Sequence, residues 1–228
     1  MKGRLIIPDN LSEVSLAQYQ TFLKNSEGKE GTDLKLELVS TFCKIDRDIA
    51  KAIKLTDIEE IASTINAMFE ADYPFIAKFK IDGVSFGFIP DLENMSFGEY
   101  VDLDSYLSDW SKMHKAMAVL FRPITNDYKG KYLIEDYESS EKYAEVMKLM
   151  PLSCAMGAMV FFYHLGIKLL QAIPQFLERE VETLEILVNK TNSTSSGVGI
   201  TQSINSLKET FADLTKSLRL DWRQHLHI

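Results

Sequence analysis

Two stretches of this chain spell nearly the same phrase about eighty residues apart, and the phrase limits what the chain can fold into. Residues 7–19 read IPDNLSEVSLAQY and residues 89–100 read IPDLENMSFGEY. Each copy ends an extended segment at a proline. Each then offers a Ser with Gln or Glu three positions on: Ser15 with Gln18, Ser96 with Glu99. That spacing is a capping box, in which the hydroxyl accepts from a free helix amide and the longer side chain reaches back to the cap amide. Both phrases therefore predict a junction where an extended segment stops and a capped helix begins. Leu16, Tyr19 and Phe22 are expected on the apolar face of the first helix, and Phe97, Tyr100 and Leu103 on that of the second.

The extended segments point to a small sheet. Residues 79–89, FKIDGVSFGFI, place Asp82-Gly83 between two β-rich runs, a type I′ hairpin signal because both central positions need positive φ. RLII at 4–7 is expected to add a third strand, so that both phrases leave one antiparallel sheet. Between them, Leu34, Leu38, Phe42 and Ile45 fall on one helical face, and Ile58, Ile61, Ile65, Met68 and Phe69 on another. A continuous helical stretch is expected over about 97–121, with Ser105–Ser108 as its weak point. Its acids, Asp91 to Asp109, precede its bases Lys112, Lys115 and Arg122, the order a helix dipole favours. Pro123 ends it by Arg122. After a turn at Lys129-Gly130 and a helix at about 140–149, residues 151–173 form the most apolar segment, with Pro151 as its first helical residue. Ser153, His164, Lys168 and Gln171 interrupt it and no basic cluster flanks it, so a central core helix is expected rather than a membrane span.

The last third changes character. A helical pattern from Pro174 reaches Val188, and NKTNSTSSGVG at 189–199 reads as a flexible linker. Ile200, Ile204, Leu207, Phe211, Leu214 and Leu218 then recur at alternating spacings of four and three. That narrow seam is the pattern of a helix meeting one or two partners. The two helices either fold back as a hairpin or pair with another chain as a coiled coil or homo-oligomer. The fold class expected is mainly α (α+β). A helical bundle with a small antiparallel sheet (4–7 and 79–89) makes a core domain of 1–173, followed by a helical appendage of 174–228.

Chemistry is sparse. The 228 residues carry a net charge of −8 and a pI near 5.1, which disfavours nucleic acid as a main partner because phosphate binding needs a basic face. Cys43 and Cys154 lie in apolar helical patterns, so two buried reduced thiols are expected. The first ten residues lack the apolar core of a signal peptide, which points to the cytoplasm. Gly-rich phosphate loops and the GxSxG, HExxH and CxxC motifs are missing. Asp102, Asp104 and Asp109 lack the glycine and closing Glu of a calcium loop and read as a solvated acidic face. His114, His164 and Cys154 are candidates for a nucleophile-and-base arrangement, but nothing in their spacing requires one. Tyr100, Tyr106, Trp110, Met113 and Met117 resemble a ligand cage but at helical spacing read as core. No catalytic, cofactor-binding or metal-binding residue is assigned.

The runs FGFIPDLENMSFGEYVDLDSYLSDWSKMHKAMAVLFRPI and GKYLIEDYESSEKYAEVMKLMPLSCAMGAMVFFYHLG, with the opening IPDNLSEVSLAQYQTFL, resemble a group of virion-assembly proteins of tailed bacteriophages. The resemblance covers roughly residues 1–170. It implies a tail or baseplate assembly factor of the kind called a tail assembly chaperone, acting in the host cytoplasm. Such a factor binds another phage tail or baseplate protein, without catalysis or cofactor. A structural component of the baseplate, tail or connector is the alternative. The partner-binding residues expected are the seam positions Ile200, Ile204, Leu207, Phe211, Leu214 and Leu218, with this seam or a groove of the bundle accepting an amphipathic helix. Neither nucleic acid nor membrane is expected as a partner.

Overall fold

The computed structural model describes residues 5–165 and 167–168. The 174–228 appendage, the 189–199 linker and the six seam residues from Ile200 to Leu218 lie outside the described residues. The chain divides into two compact units, Met1–Val160 and Phe161–Ile228.

The first unit is mainly helical with one small antiparallel sheet, the class expected. Helices α1 (Leu16–Ser26), α2 (Gly31–Phe42), α3 (Arg47–Lys51) and α4 (Leu55–Phe69) come first. Both capping-box partners of α1 are in place: the Gln18 amide donates to Ser15 Oγ at 3.2 Å, and the Ser15 amide to Gln18 Oε1 at 3.1 Å. Helices α1, α2 and α4 pack through one aromatic cluster. The Phe22–Phe42, Phe42–Phe69 and Tyr19–Phe69 ring centroids are 5.2, 5.7 and 5.8 Å apart. All five apolar positions expected to face inward on α4 do so. On α2, Leu36 and Val39 are buried with Leu38 and Phe42, whereas Leu34 and Ile45 lie half-exposed at its ends.

The sheet follows, in the order β1 (Lys78–Ile81), β2 (Val84–Phe88), β3 (Phe121–Tyr128) and β4 (Lys131–Ile134). Its two hairpins turn at Asp82-Gly83, with φ of 47° and 82°, and at Lys129-Gly130, with φ of 51° and 82°. Both are the double-positive pairs a two-residue hairpin demands. Residues 5–7 form no strand, and Ile6 is 73% exposed, so RLII does not extend this sheet. The third strand is β3 instead. It sits directly at the end of a helix, brings Phe121 opposite Phe88, and acquires its own neighbour β4 through a local turn. A four-residue run ending at Pro8 has neither advantage. Pro123 offers β3 no amide, but its carbonyl still accepts from the Glu135 amide at 2.9 Å.

The stretch 97–121 is not one helix. It comprises α5 (Phe97–Tyr106), a 3₁₀ turn (Trp110–Lys112) and α6 (Met113–Leu120). The interruption comes where Asp109 accepts from the Ser111 amide and starts the chain afresh. Every residue of α6 from Ala116 to Leu120 is buried, as is Met113, so this short helix is surrounded by the rest of the unit. Helix α7 (Glu141–Met147) packs on it. A further helix begins at 152. Pro151 stands just ahead of it, not inside it, bridged to Ser15. Leu152, Cys154, Ala155, Met156 and Ala158 are buried, as expected for a core helix, but residues 159–165 are half-exposed or exposed and 169–173 lie outside the described residues. A Cβ at Gly157 would strike the Pro74 carbonyl, so a side chain there would push the helix off its neighbour.

Candidate functional site

The residues that could carry chemistry are dispersed. His114 on α6 is half-buried, with Nδ1 3.0 Å from the Gln20 side-chain amide. Burial, then the positive charge of Lys148, hold it below its ordinary value of 6.5 against the pull of Glu145. His164 is exposed and belongs to the second unit. Both cysteines are free and buried, as expected, and burial pushes each thiol up to about 11. They are protonated at neutral pH, the opposite of an activated nucleophile. Among the described residues no group of three His, Cys, Asp or Glu side chains is placed to hold a metal ion. Nor is any helix among them long and apolar enough to cross a membrane. An open groove of about 660 Å³ between α4 and the 9–12 turn is lined by Asp9, Ser12, Thr64, Asp72, Tyr73 and Ser153 among others, with neither His nor Cys on it.

The densest polar constellation fastens α5 in place. Glu99 and Arg122 are both buried and meet at 2.5 Å, while the Ser96 amide donates to the other Glu99 oxygen at 2.6 Å. Burial alone would push the Glu99 carboxyl up, but the hydrogen bonds from Ser96 and Arg122 outweigh it and hold it below its ordinary value. The Arg122 guanidinium also lies 5.4 Å from the Tyr137 ring centre, and its Nε has no partner. Tyr137 donates to Asp102, whose carboxyl that bond holds low, while burial and the same bond push the phenol up. Tyr143 donates to Glu135, which Lys142 also reaches at 2.7 Å. Each of these carboxylates is thus held by a donor and each of these phenols is held protonated. The arrangement clamps α5 to the start of β3 and to the 135–140 segment. Glu37 on α2 is a smaller counterpart, buried and paired with Lys29 at 2.7 Å and Arg47 at 3.3 Å.

The clamp sets the rotation of α5, and this corrects the expected apolar face. Glu99 and Leu103, one turn apart, point inward. Phe97, Tyr100 and Val101 consequently point out, 81%, 59% and 42% exposed, with Asp104 among them on the same face. The anticipated core reading of the neighbouring aromatic and Met residues holds for Met113 and Met117, which are buried, and fails for Tyr100. Trp110 packs edge-on against Tyr19 at 5.0 Å and Tyr106 lies under Lys115 at 5.5 Å, so these rings do not assemble into a cage. The acidic residues are also not uniformly solvated. Glu99 is buried, Asp102 and Asp109 accept hydrogen bonds, and Asp104 alone of the three spaced aspartates is exposed.

Sequence reasoning missed Arg122 as the partner of Glu99, treating it as a helix-end base. The available signal was its setting: a lone cation inside VLFRPI, where every neighbour is apolar or Pro, must find a buried anion.

Comparison with protein-family models, with curated proteins and with solved structures returns no match for this chain.

Proposed function

We propose that this chain is a non-enzymatic assembly factor of tailed-phage virions, a tail assembly chaperone that binds another phage protein. The observation that carries the reading is the outward face of α5. An aromatic pair and a valine stand in solvent on a helix whose inner face is fixed by a buried ion pair. Exposed aromatic residues on a rigid element are the usual anchors of protein interfaces. The chemistry around it gives further support: the buried carboxylates are held by donors and the two thiols are protonated, so binding explains these side chains better than catalysis does. The resemblance of residues 1–170 to phage assembly proteins supplies the class of partner, a tail or baseplate protein. The heptad positions Ile200, Ile204, Leu207, Phe211, Leu214 and Leu218 supply a second contact surface on this reading.

Quantitative mass spectrometry of purified particles beside the lysate of infected cells tests it, using a tagged chain. Abundance in lysate with a tail protein bound, and absence from finished particles, is the expected result. A fixed, symmetric copy number in the particle would replace the chaperone reading with a structural component.

A further inference from the structure

We infer that the outward face of α5 is the docking site for a basic amphipathic helix of a partner protein, an inference that rests on the assembly-factor reading and specifies its partner. Phe97, Tyr100 and Val101 occur at i, i+3 and i+4, so they form one contiguous apolar strip along the helix. From Phe97 to Val101 the strip covers four helical rises, about 6 Å or one turn, so it seats one turn of a partner helix. The strip is preorganised, because Ser96 caps the helix and the Glu99–Arg122 pair fixes its rotation.

Charge identifies the occupant. Between Lys80 and Lys112 the sequence holds Asp82, Asp91, Glu93, Glu99, Asp102, Asp104 and Asp109 and no Lys or Arg. The cations that follow the stretch are already engaged: Lys112 with Asp109, Lys115 with Glu141, Arg122 with Glu99. Asp104 on the strip's face, and Asp91 and Glu93 in the segment just before the helix, make no ion pair among the described residues. A ligand for this face must therefore bring apolar side chains flanked by Lys or Arg. Anionic membranes and nucleic acids carry the wrong sign. A second copy of the chain fits poorly as well, since a two-fold contact through this face sets Asp104 of one copy near Asp104 of the other in a protein of net charge −8.

The test uses the full chain and two labelled helical peptides that share one Leu pattern, one bearing Lys and the other Glu, followed by fluorescence anisotropy. The Lys peptide is expected to bind at least about tenfold more tightly, with the difference shrinking in high salt. Phe97→Ser with Tyr100→Ser should weaken it by about tenfold or more while thermal unfolding stays unchanged, and Asp104→Lys should narrow the preference. Equal affinity for the two peptides, or full binding by the double variant, overturns the inference. So does self-association of the wild type that the double variant abolishes, which would make the face a contact between copies. A tail protein captured equally by wild type and double variant leaves the assembly reading standing and removes this face from it. Peptide binding as expected, with the chain built into particles, does the reverse.

Discussion

Residues 7–19 and 89–100 close onto their helices through the same hydrogen bonds, and then use those helices in opposite ways. In the first copy, Leu16 and Tyr19 follow the cap into the core, and the chain before it is tied to the start of the helix at 152. The Leu16 amide donates to Met150 O at 2.9 Å and the Leu152 amide to Val14 O at 2.8 Å. In the second copy the corresponding positions, Phe97 and Tyr100, stand in solvent, and the residue buried in the first turn is the cap's own glutamate. The difference traces to one atom pair. Gln18 is neutral, and its side-chain amide needs only a carbonyl, Thr41 O at 3.2 Å. Glu99 carries a charge that must be neutralised when buried, so it turns α5 toward Arg122. A local motif specifies local geometry, and the charge on one of its side chains decides which face of the helix is hidden.

The largest test of this contrast replaces the matching tyrosines. Tyr19→Ala empties a fully buried ring site beside Phe69 and Trp110 and should cost about 3–5 kcal/mol of stability. Tyr100→Ala should stay within about 0.5 kcal/mol, as an exposed position. Urea unfolding of the two variants side by side checks it, and similar costs would mean that the two helices are buried alike.

Next comes the ion pair. Arg122→Leu leaves Glu99 buried without its cation and should cost about 3 kcal/mol or more, whereas the double change Glu99→Leu with Arg122→Leu recovers much of that loss. Gln18→Ala, at the equivalent position of the first copy, removes a neutral cap partner and should cost about 1 kcal/mol. Equal effects at the two sites would remove charge as the cause of the difference.

Acid should separate the copies in the same way. The folded-state value of Glu99 lies below the 4.5 of an unperturbed glutamate, so the unfolded chain takes up its proton first as the pH falls. Its stabilisation is complete above 4.5 and is lost on descending through the folded value. Unfolding free energies of wild type and Glu99→Gln, compared from neutrality to acid, should therefore converge as the pH drops. Gln18→Ala should run parallel to wild type throughout, because no titrating group is removed.

How much of this was legible in the sequence depends on which interactions are local. Both caps, both hairpin turns and the inner face of α4 depend on residues within a few positions of each other, and each is legible in the sequence alone. The strand expected at 4–7 failed because sheet membership is decided by partners far along the chain, and Phe121 competes better for Phe88 than RLII can. The face of α5 failed for a related reason. Periodicity placed Phe97 and Tyr100 inward, but Arg122, twenty-three residues from Glu99, offered a contact that no helical wheel contains. The candidate site was legible only as an acidic stretch. Its aromatic strip emerged once the rotation of the helix was known.

The smallest contrast is the sharpest, because it asks whether the shared motif is energetically the same in both copies. The hydroxyls accept from the third helical amide at nearly equal distances, 3.2 Å at Ser15 and 3.3 Å at Ser96. If capping is purely local, Ser15→Ala and Ser96→Ala should each cost about 1 kcal/mol. At the second copy, however, Glu99 both closes the box and holds Arg122, so loss of the Ser96 hydroxyl frees the carboxylate to shift on its guanidinium partner. A double-mutant cycle between position 96 and position 122 measures that coupling directly. A coupling energy near zero would make the two copies one motif in two settings. A coupling of about 0.5 kcal/mol or more would mean that cap and ion pair act as a unit in the second copy, and that its likeness to the first ends at the hydrogen-bond pattern.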